Sequence, residues 1–346
     1  MQRLSPVAFA AAALLAMASQ PAAAQKTFTV AGYGGSFEKT MREMVIPPFE
    51  KQHGVKVEFV AGNSTDTLAK LQAQKGNQVI DAIILDDGPA YQAIELGFCG
   101  KLAPADVYKD VYSIMKFKDD RAVGVGMVGT GIMYNKQYFA EKGWAAPTSW
   151  EDLKDPKYKK LVVIPPLNNT YGLHAVVMMA RIRGGGESKI DPGFAAFKND
   201  IGPNVLAYEP SPGKMTELFQ SKQGVIGVWG SGRAKALADQ TGLPIDFIYP
   251  KEGGLALGVA ACPIGGSKND KEAQAFVQHL VSPEVQLILA KSAGFGPTNQ
   301  KVALTAEERK GLPYGDDIKQ LKAVDWDVIN KNREEWNKRW TREIER

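Results

Sequence analysis

The fold is set first by the stretch Val30-Ala31-Gly32-Tyr33-Gly34-Gly35-Ser36-Phe37-Glu38. Residues 27–30 are apolar or β-branched, which predicts a short strand. From residue 37 to residue 49, large apolar side chains recur with helical spacing, so a helix follows the glycines. Ser36 is predicted as its N-cap, and Glu38 adds negative charge to the first turn. Such a strand–turn–helix corner leaves backbone N–H groups unpaired, where an anion or another acceptor can bind.

Two familiar phosphate-binding motifs are excluded. The glycine spacing is G-x-G-G and not the G-x-G-x-x-G of dinucleotide-binding proteins. The P-loop pattern G-x-x-x-x-G-K-[ST] occurs nowhere in the chain. A glycine-rich turn also often has no ligand at all, so the turn alone leaves both interpretations open.

The same strand–turn–helix pattern recurs twice within the first hundred residues. Residues 56–60 alternate as a strand and lead into a polar turn, where Ser64 or Thr65 is predicted to cap a helix. Residues 79–85 form an apolar strand, and the turn at residues 86–89 leads into another helix. Three such units predict a parallel sheet with right-handed crossovers, in which ligands bind at the carboxyl ends of the strands.

A second α/β unit follows a long glycine-rich strand. Residues 123–135 are predicted to leave one lobe and enter another. Strands at residues 161–164 and 225–229 are then followed by polar turns and helices. Near the C-terminus, Trp336 and Trp340 lie on a charged helix and are predicted to be its buried face. The fold class is therefore α/β.

Length and composition agree with a globular protein of two domains. The chain has 346 residues, of which 44% are hydrophobic and 23% charged. The net charge of +4 comes from 42 basic and 38 acidic residues without a basic run, which argues against a nucleic-acid partner. Cys99 and Cys262 are the two cysteines. Two separate buried thiols are favoured over a disulfide, because cysteine is among the most buried residue types.

The N-terminus predicts export. Arg3 precedes an apolar segment at residues 7–17, and small residues precede a predicted cleavage site between Ala24 and Gln25. This is the pattern of a secretory signal peptide. No later stretch has about 18 uninterrupted apolar residues. We therefore expect a soluble protein in the bacterial periplasm.

The sequence shows no constellation typical of an enzyme. Its histidines, His53, His174 and His279, are scattered and lack metal-ligand spacing, and no G-x-S-x-G elbow occurs. The adjacent acids Asp86 and Asp87 are interpreted as solvated or capping rather than as an acid–base pair. We predict no catalytic residue, metal or cofactor, and an exported enzyme stays open as an alternative.

Three runs, in order, carry a family resemblance. They are Phe247-Ile248-Tyr249-Pro250-Lys251-Glu252-Gly253-Gly254, His279-Leu280-Val281-Ser282-Pro283-Glu284-Val285 and Gly294-Phe295-Gly296-Pro297-Thr298-Asn299. Their succession resembles the polyamine-type (spermidine/putrescine) periplasmic solute-binding proteins of ABC importers. The run Ser149-Trp150-Glu151-Asp152-Leu153 is similar too.

The resemblance implies two α/β lobes joined by a hinge of crossing strands, with a ligand cleft between them. Residues 25–128 plus 253–305 would form the first lobe, and residues 129–252 plus 306–346 the second. A monomer of this kind closes around a small-molecule solute and delivers it to an inner-membrane permease and its ATPase.

The ligand is predicted to differ from a polyamine. Where the family has acids that hold ammonium groups, this chain has residues 167–170 and 255–259, which contain none. Trp229 keeps an aromatic platform, and Arg233 suits a carboxylate or phosphonate. We expect an anionic or zwitterionic solute, with a polyamine as the alternative and ferric iron as a weaker option. The predicted ligand-binding residues are Tyr33, Gly34, Gly35, Ser36, Ser64, Thr65, Asp87, Gly88, Thr130, Asn169, Thr170, Tyr171, Trp229, Ser231 and Arg233.

Overall fold

One continuous sheet of ten strands runs through the computed structural model, which describes residues 26–345. The predicted signal peptide lies outside the described residues. The sheet order is β2-β1-β3-β9-β4-β7-β5-β6, with β10 beside β9 and β8 beside β4. The strands are β1 (Thr27–Tyr33), β2 (Lys56–Gly62), β3 (Ala82–Asp86), β4 (Val123–Asn135), β5 (Val162–Ile164), β6 (Val205–Tyr208), β7 (Ile226–Gly230), β8 (Ile245–Ile248), β9 (Gly254–Pro263) and β10 (Leu321–Lys322).

Helices cover the sheet. They are α1 (Ser36–Thr40), α2 (Ile46–His53), α3 (Ser64–Ala73), α4 (Asp87–Glu95), α5 (Lys136–Glu141), α6 (Thr170–Ile182), α7 (Asp191–Ala196), α8 (Pro212–Gln220), α9 (Ser231–Thr241), α10 (Asp270–Leu280), α11 (Pro283–Ala293) and α12 (Trp326–Glu343). Between residues 26 and 345, no helix is both long and apolar enough to cross a membrane.

The predicted parallel units are confirmed in both halves of the sheet. Strand β1 pairs in parallel with β2 and with β3, and strand β5 pairs in parallel with β6 and with β7. The two parallel groups are joined by antiparallel pairing of β3 with β9, of β9 with β4 and of β4 with β7. The carboxyl ends of the parallel strands therefore present their polar turns along the edges that hold the candidate site.

Strand β4 connects the two groups, as its glycine-rich sequence predicts. It pairs with β9 up to Thr130 and with β7 from Thr130 onward, and all 13 of its residues are buried. Its glycines let other residues approach closely. A Cβ at Gly126 would lie 2.6 Å from the Phe295 ring, and one at Gly131 would lie 2.4 Å from the carbonyl oxygen of Ile248. The residue boundaries of the two lobes stay a prediction.

Each half has its own apolar core. In the first, the rings of Phe28, Phe49 and Phe276 meet between the sheet and helices α2 and α10, with centroids 4.9 to 6.1 Å apart. In the second, Trp336 and Trp340 of α12 are buried, which confirms the predicted packing of that helix. The burial of these large side chains is the main stabilising contribution.

Two predicted helix caps are wrong. Gly35, and not Ser36, is the N-cap of α1, and its φ of 68° lies in the left-handed region that glycine adopts readily. Asn63, and not Ser64 or Thr65, caps α3, because its side-chain oxygen accepts from Asp66 N at 2.8 Å. The helix α1 is capped one residue earlier than predicted, and α3 one or two residues earlier.

The prediction of two separate thiols is also wrong. Cys99 and Cys262 form a disulfide, with Cα atoms 5.6 Å apart. Cys99 follows α4, and Cys262 lies near the end of β9, where the backbone of Cys99 bridges to Ile264. Each cysteine is buried as expected, but the sheet order brings together two residues that are 163 positions apart in sequence.

Candidate functional site

The first rim of the candidate site is a hydrogen-bonded group at the ends of β1 and β3. The Tyr33 hydroxyl donates to Asp86 Oδ1 at 2.6 Å. The Ser64 hydroxyl oxygen accepts from Asp86 N at 3.0 Å, so the first turn of α3 is tied to the same residue. Tyr33 and Asp86 are half-buried and Ser64 is buried. Both Tyr33 and Ser64, predicted from sequence, therefore meet at a carboxylate.

The Asp86 carboxylate is partly shielded from solvent. Burial raises its pKa, while the hydrogen bond from Tyr33 and the charges of Arg333 and Arg233 lower it. Burial and the neighbouring Asp86 raise the pKa of Tyr33, which therefore stays protonated and donates. This rim offers negative charge that the protein compensates only in part.

The second rim is built on the first turns of α6 and α9. The Tyr171 ring lies 5.1 Å from the Trp229 ring, at an angle of 49°. Arg233 is exposed in the first turn of α9. Burial raises the pKa of Tyr171, and the charge and hydrogen bond of Arg233 oppose that shift. No carboxylate of residues 26–345 lies within 4.0 Å of the Arg233 guanidinium.

A further cation comes from the C-terminal helix. Arg333 of α12 is half-buried and donates from Nη2 to the carbonyl oxygen of Asn168 at 3.1 Å. Burial lowers its pKa, and the charges of Asp86 and Asp87 oppose that shift. Arg333 is thus close enough to the first rim to interact with its acids.

Asp87, unlike Asp86, is bonded into the protein frame. Its Oδ2 accepts from Gly258 N at 2.9 Å and its Oδ1 from Gly88 N at 3.0 Å. Burial raises the pKa of Asp87 to about 7, and the side chain of Trp326 lowers it. A Cβ at Gly88 would lie 2.7 Å from the Trp326 ring. The expectation that these acids are solvated is wrong for Asp87, which is buried. Asp86 is the N-cap residue of α4, but its side chain makes no capping hydrogen bond.

Several predicted residues lie behind the rims. Thr130, Trp229 and Ser231 are between 0% and 2% exposed. Ser231 Oγ accepts from Gly129 N at 3.3 Å. Thr130 Oγ1 lies 2.7 Å from Nδ1 of the buried His174, whose pKa burial lowers to about 3, so that its ring is neutral. All three side chains are almost fully covered by the protein, and a direct contact with solute stays a prediction.

The remaining predicted residues lie in the turns that form the rims. Gly34 N donates to Gly62 O at 3.2 Å, and Thr65 Oγ1 donates to Asn63 Oδ1 at 2.7 Å. Asn169 caps α6 by accepting from Tyr171 N at 3.0 Å, and Thr170 is the first residue of that helix. These partners are local, so the ligand roles of Gly34, Gly35, Ser36, Thr65, Asn169 and Thr170 also stay predictions. Across residues 26–345, no three His, Cys, Asp or Glu side chains are grouped so as to hold a metal ion.

The sequence-based prediction of ligand-binding residues omits Asp86 and Arg333, which lie beside the predicted ones. Asp86 follows a predicted apolar strand, but the adjacent Asp87 has the same sequence context, so the pattern does not distinguish the two acids. Arg333 had no local signal, because it lies on a helix whose charged residues indicate a solvated surface.

Known proteins share this fold. The sequence model described as bacterial extracellular solute-binding protein matches residues 44–313. An uncharacterized protein of Haemophilus influenzae is 25% identical over 321 residues, which cover 87% of each chain. The spermidine/putrescine-binding periplasmic protein of Escherichia coli is 26% identical over 186 residues, or 52% of this chain and 51% of that protein. An ABC transporter crystal structure from Clostridium perfringens has a TM-score of 0.81 at 24% identity, covering 92% of this chain and 99% of that chain.

Proposed function

Because the chain belongs to the bacterial extracellular solute-binding protein family, we propose that it is the periplasmic substrate-binding component of an ABC transporter for a small organic acid or zwitterion. The solute would be held between the two rims and delivered unchanged to an inner-membrane permease and its ATPase. Closure of two lobes around a ligand is an established way for proteins to signal occupancy. The acid group of the solute would be a carboxylate or a phosphonate.

The observation that carries this proposal is the guanidinium of Arg233, which has no carboxylate partner among residues 26–345. Several other arginines in the second half of the chain have a carboxylate partner, as Arg183 does with Glu151 and Asp200. Arg233 has none among residues 26–345 and lies beside the Tyr171 hydroxyl. A planar guanidinium next to a hydroxyl donor suits a carboxylate or phosphonate, which can accept two parallel hydrogen bonds.

The opposite rim suits an ammonium group. Asp86 accepts one hydrogen bond from Tyr33 and has a raised pKa because burial disfavours its charge. A cation of the solute would favour the charged form of Asp86. A solute with an acid at one end and an ammonium at the other would therefore match both rims.

Isothermal titration calorimetry with three probes of similar length tests the proposal. Glutarate carries two acids, 4-aminobutyrate one acid and one ammonium, and putrescine two ammonium groups. We expect an acid-bearing probe to bind and Arg233→Gln to weaken it by about 2 kcal/mol or more. Lys235→Gln, on the same helix, removes an equal charge from a surface pair with Asp239 and should change little. Binding of putrescine alone would favour the polyamine alternative, and turnover of a bound probe would favour an enzyme.

A further inference from the structure

The C-terminal helix α12 belongs to the second core but also contacts the first lobe. Ile329, Trp336 and Trp340 are buried in the second core, and Asp325 N donates to Glu187 Oε1 at 2.9 Å. On the other side, Asn330 Nδ2 donates to Gly88 O at 3.1 Å. The Trp326 ring covers Gly88 so closely that a Cβ there would lie 2.7 Å away. The helix therefore bridges the two halves beside the candidate site.

Arg333 follows Trp326 and Asn330 on this helix at spacings of seven and three residues, which places the three on one face. Its Nη2 bonds to the Asn168 carbonyl, in the turn that leads to Tyr171. No carboxylate of the described chain lies within 4.0 Å of its guanidinium. Burial lowers its pKa, and only the more distant charges of Asp86 and Asp87 oppose that shift. A guanidinium has five N–H donors, so this side chain keeps most of its capacity for an anion.

We propose that Arg333, presented by the C-terminal helix, is a second solute-contacting cation, and that Trp326 and Asn330 are the positioning residues that hold it at the site. This proposal rests on the proposed function and adds to it a reason why the site favours some charged solutes over others. Arg233 and Arg333 give the site two positive charges, and the acids near them are Asp86 and the buried Asp87. A solute that carries an acid group can pair with both guanidinium groups and is therefore favoured over a solute of the same length that carries only ammonium groups.

Calorimetry with glutarate, 4-aminobutyrate and putrescine tests the role of Arg333. In the wild type we expect glutarate and 4-aminobutyrate to bind more tightly than putrescine. Arg333→Gln should weaken glutarate binding by about tenfold or more, and Arg333→Lys should restore part of the loss because the charge returns without the planar fork. Lys331→Gln removes an equal charge from the exposed side of the same helix and should leave the affinity unchanged.

The positioning role is tested separately with Gly88→Ala, which forces the Trp326 ring away without removing a charge. It should weaken glutarate binding, and the double variant Gly88→Ala/Arg333→Gln should be no weaker than Arg333→Gln alone, because both act through one side chain. If Arg333→Gln bound glutarate with wild-type affinity while Arg233→Gln lost binding, the role of Arg333 would be overturned. The proposed function would then stay intact. Absence of glutarate and 4-aminobutyrate binding to the wild type would instead overturn both.

Discussion

The disulfide between Cys99 and Cys262 should contribute more to stability than any single side-chain contact. It closes a loop of 163 residues that contains the whole segment 129–252, predicted as part of the second lobe. The chain-entropy relation for a loop of this length gives about 5 kcal/mol at room temperature, and natural disulfides measure about 2 to 5 kcal/mol. We therefore expect Cys99→Ala/Cys262→Ala to lower the free energy of unfolding by about 3 to 5 kcal/mol.

Urea unfolding followed by tryptophan fluorescence measures this loss. The full entropy is released only when both lobes are unfolded, so the comparison uses the complete transition of oxidised wild type and of the variant. Cys99→Ala alone is the matched control, because it already removes the cross-link and should lose about as much as the double variant. A loss of free energy of unfolding below about 1 kcal/mol would refute the loop-closure reasoning. A double variant that loses much more than Cys99→Ala alone would refute it too.

Two further predictions concern the hinge strand and a buried acid. Gly131→Ala should lower the free energy of unfolding by about 1 to 3 kcal/mol, because its Cβ would lie 2.4 Å from the Ile248 carbonyl oxygen. Gly213→Ala on helix α8 is the control and should be neutral or stabilising. Chemical unfolding measures both variants. Burial raises the pKa of Asp87 from 3.8 to about 7, so the folded protein retains a proton in that window and loses stability as pH rises through it. Asp87→Asn should remove this loss of stability. If the free energy of unfolding of the wild type and of the variant changed equally between pH 4 and pH 8, the assignment would be contradicted.

The architecture could be predicted because its signals are local. The apolar and glycine-rich pattern of residues 123–135 predicted the long strand β4, and three strand–turn–helix units predicted a parallel sheet. Helix caps were less accessible, since Gly35 and Asn63 cap helices for which the neighbouring serines were equally suitable by residue type. One residue of offset in a turn is below what a sequence pattern resolves.

The missed features depend on contacts between distant segments. Cys99 meets Cys262 only because β9 lies next to β3 in the sheet, an order that periodicity does not specify. Arg333 lies near Asp86 and Asp87 because helix α12 packs against the start of α4, where its Trp326 covers Gly88. By contrast, the general rule for parallel sheets already predicts a ligand at strand ends and at the helix starts that follow them. Tyr33 ends β1, and Ser64, Tyr171 and Arg233 lie in the first turns of helices.

Small-angle X-ray scattering of the wild-type protein, with and without saturating glutarate, tests most directly whether two lobes close on an acid-bearing solute. We expect the radius of gyration to fall when glutarate is added and to stay unchanged when putrescine is added at the same ionic strength. A radius of gyration that falls with putrescine and not with glutarate would contradict the account.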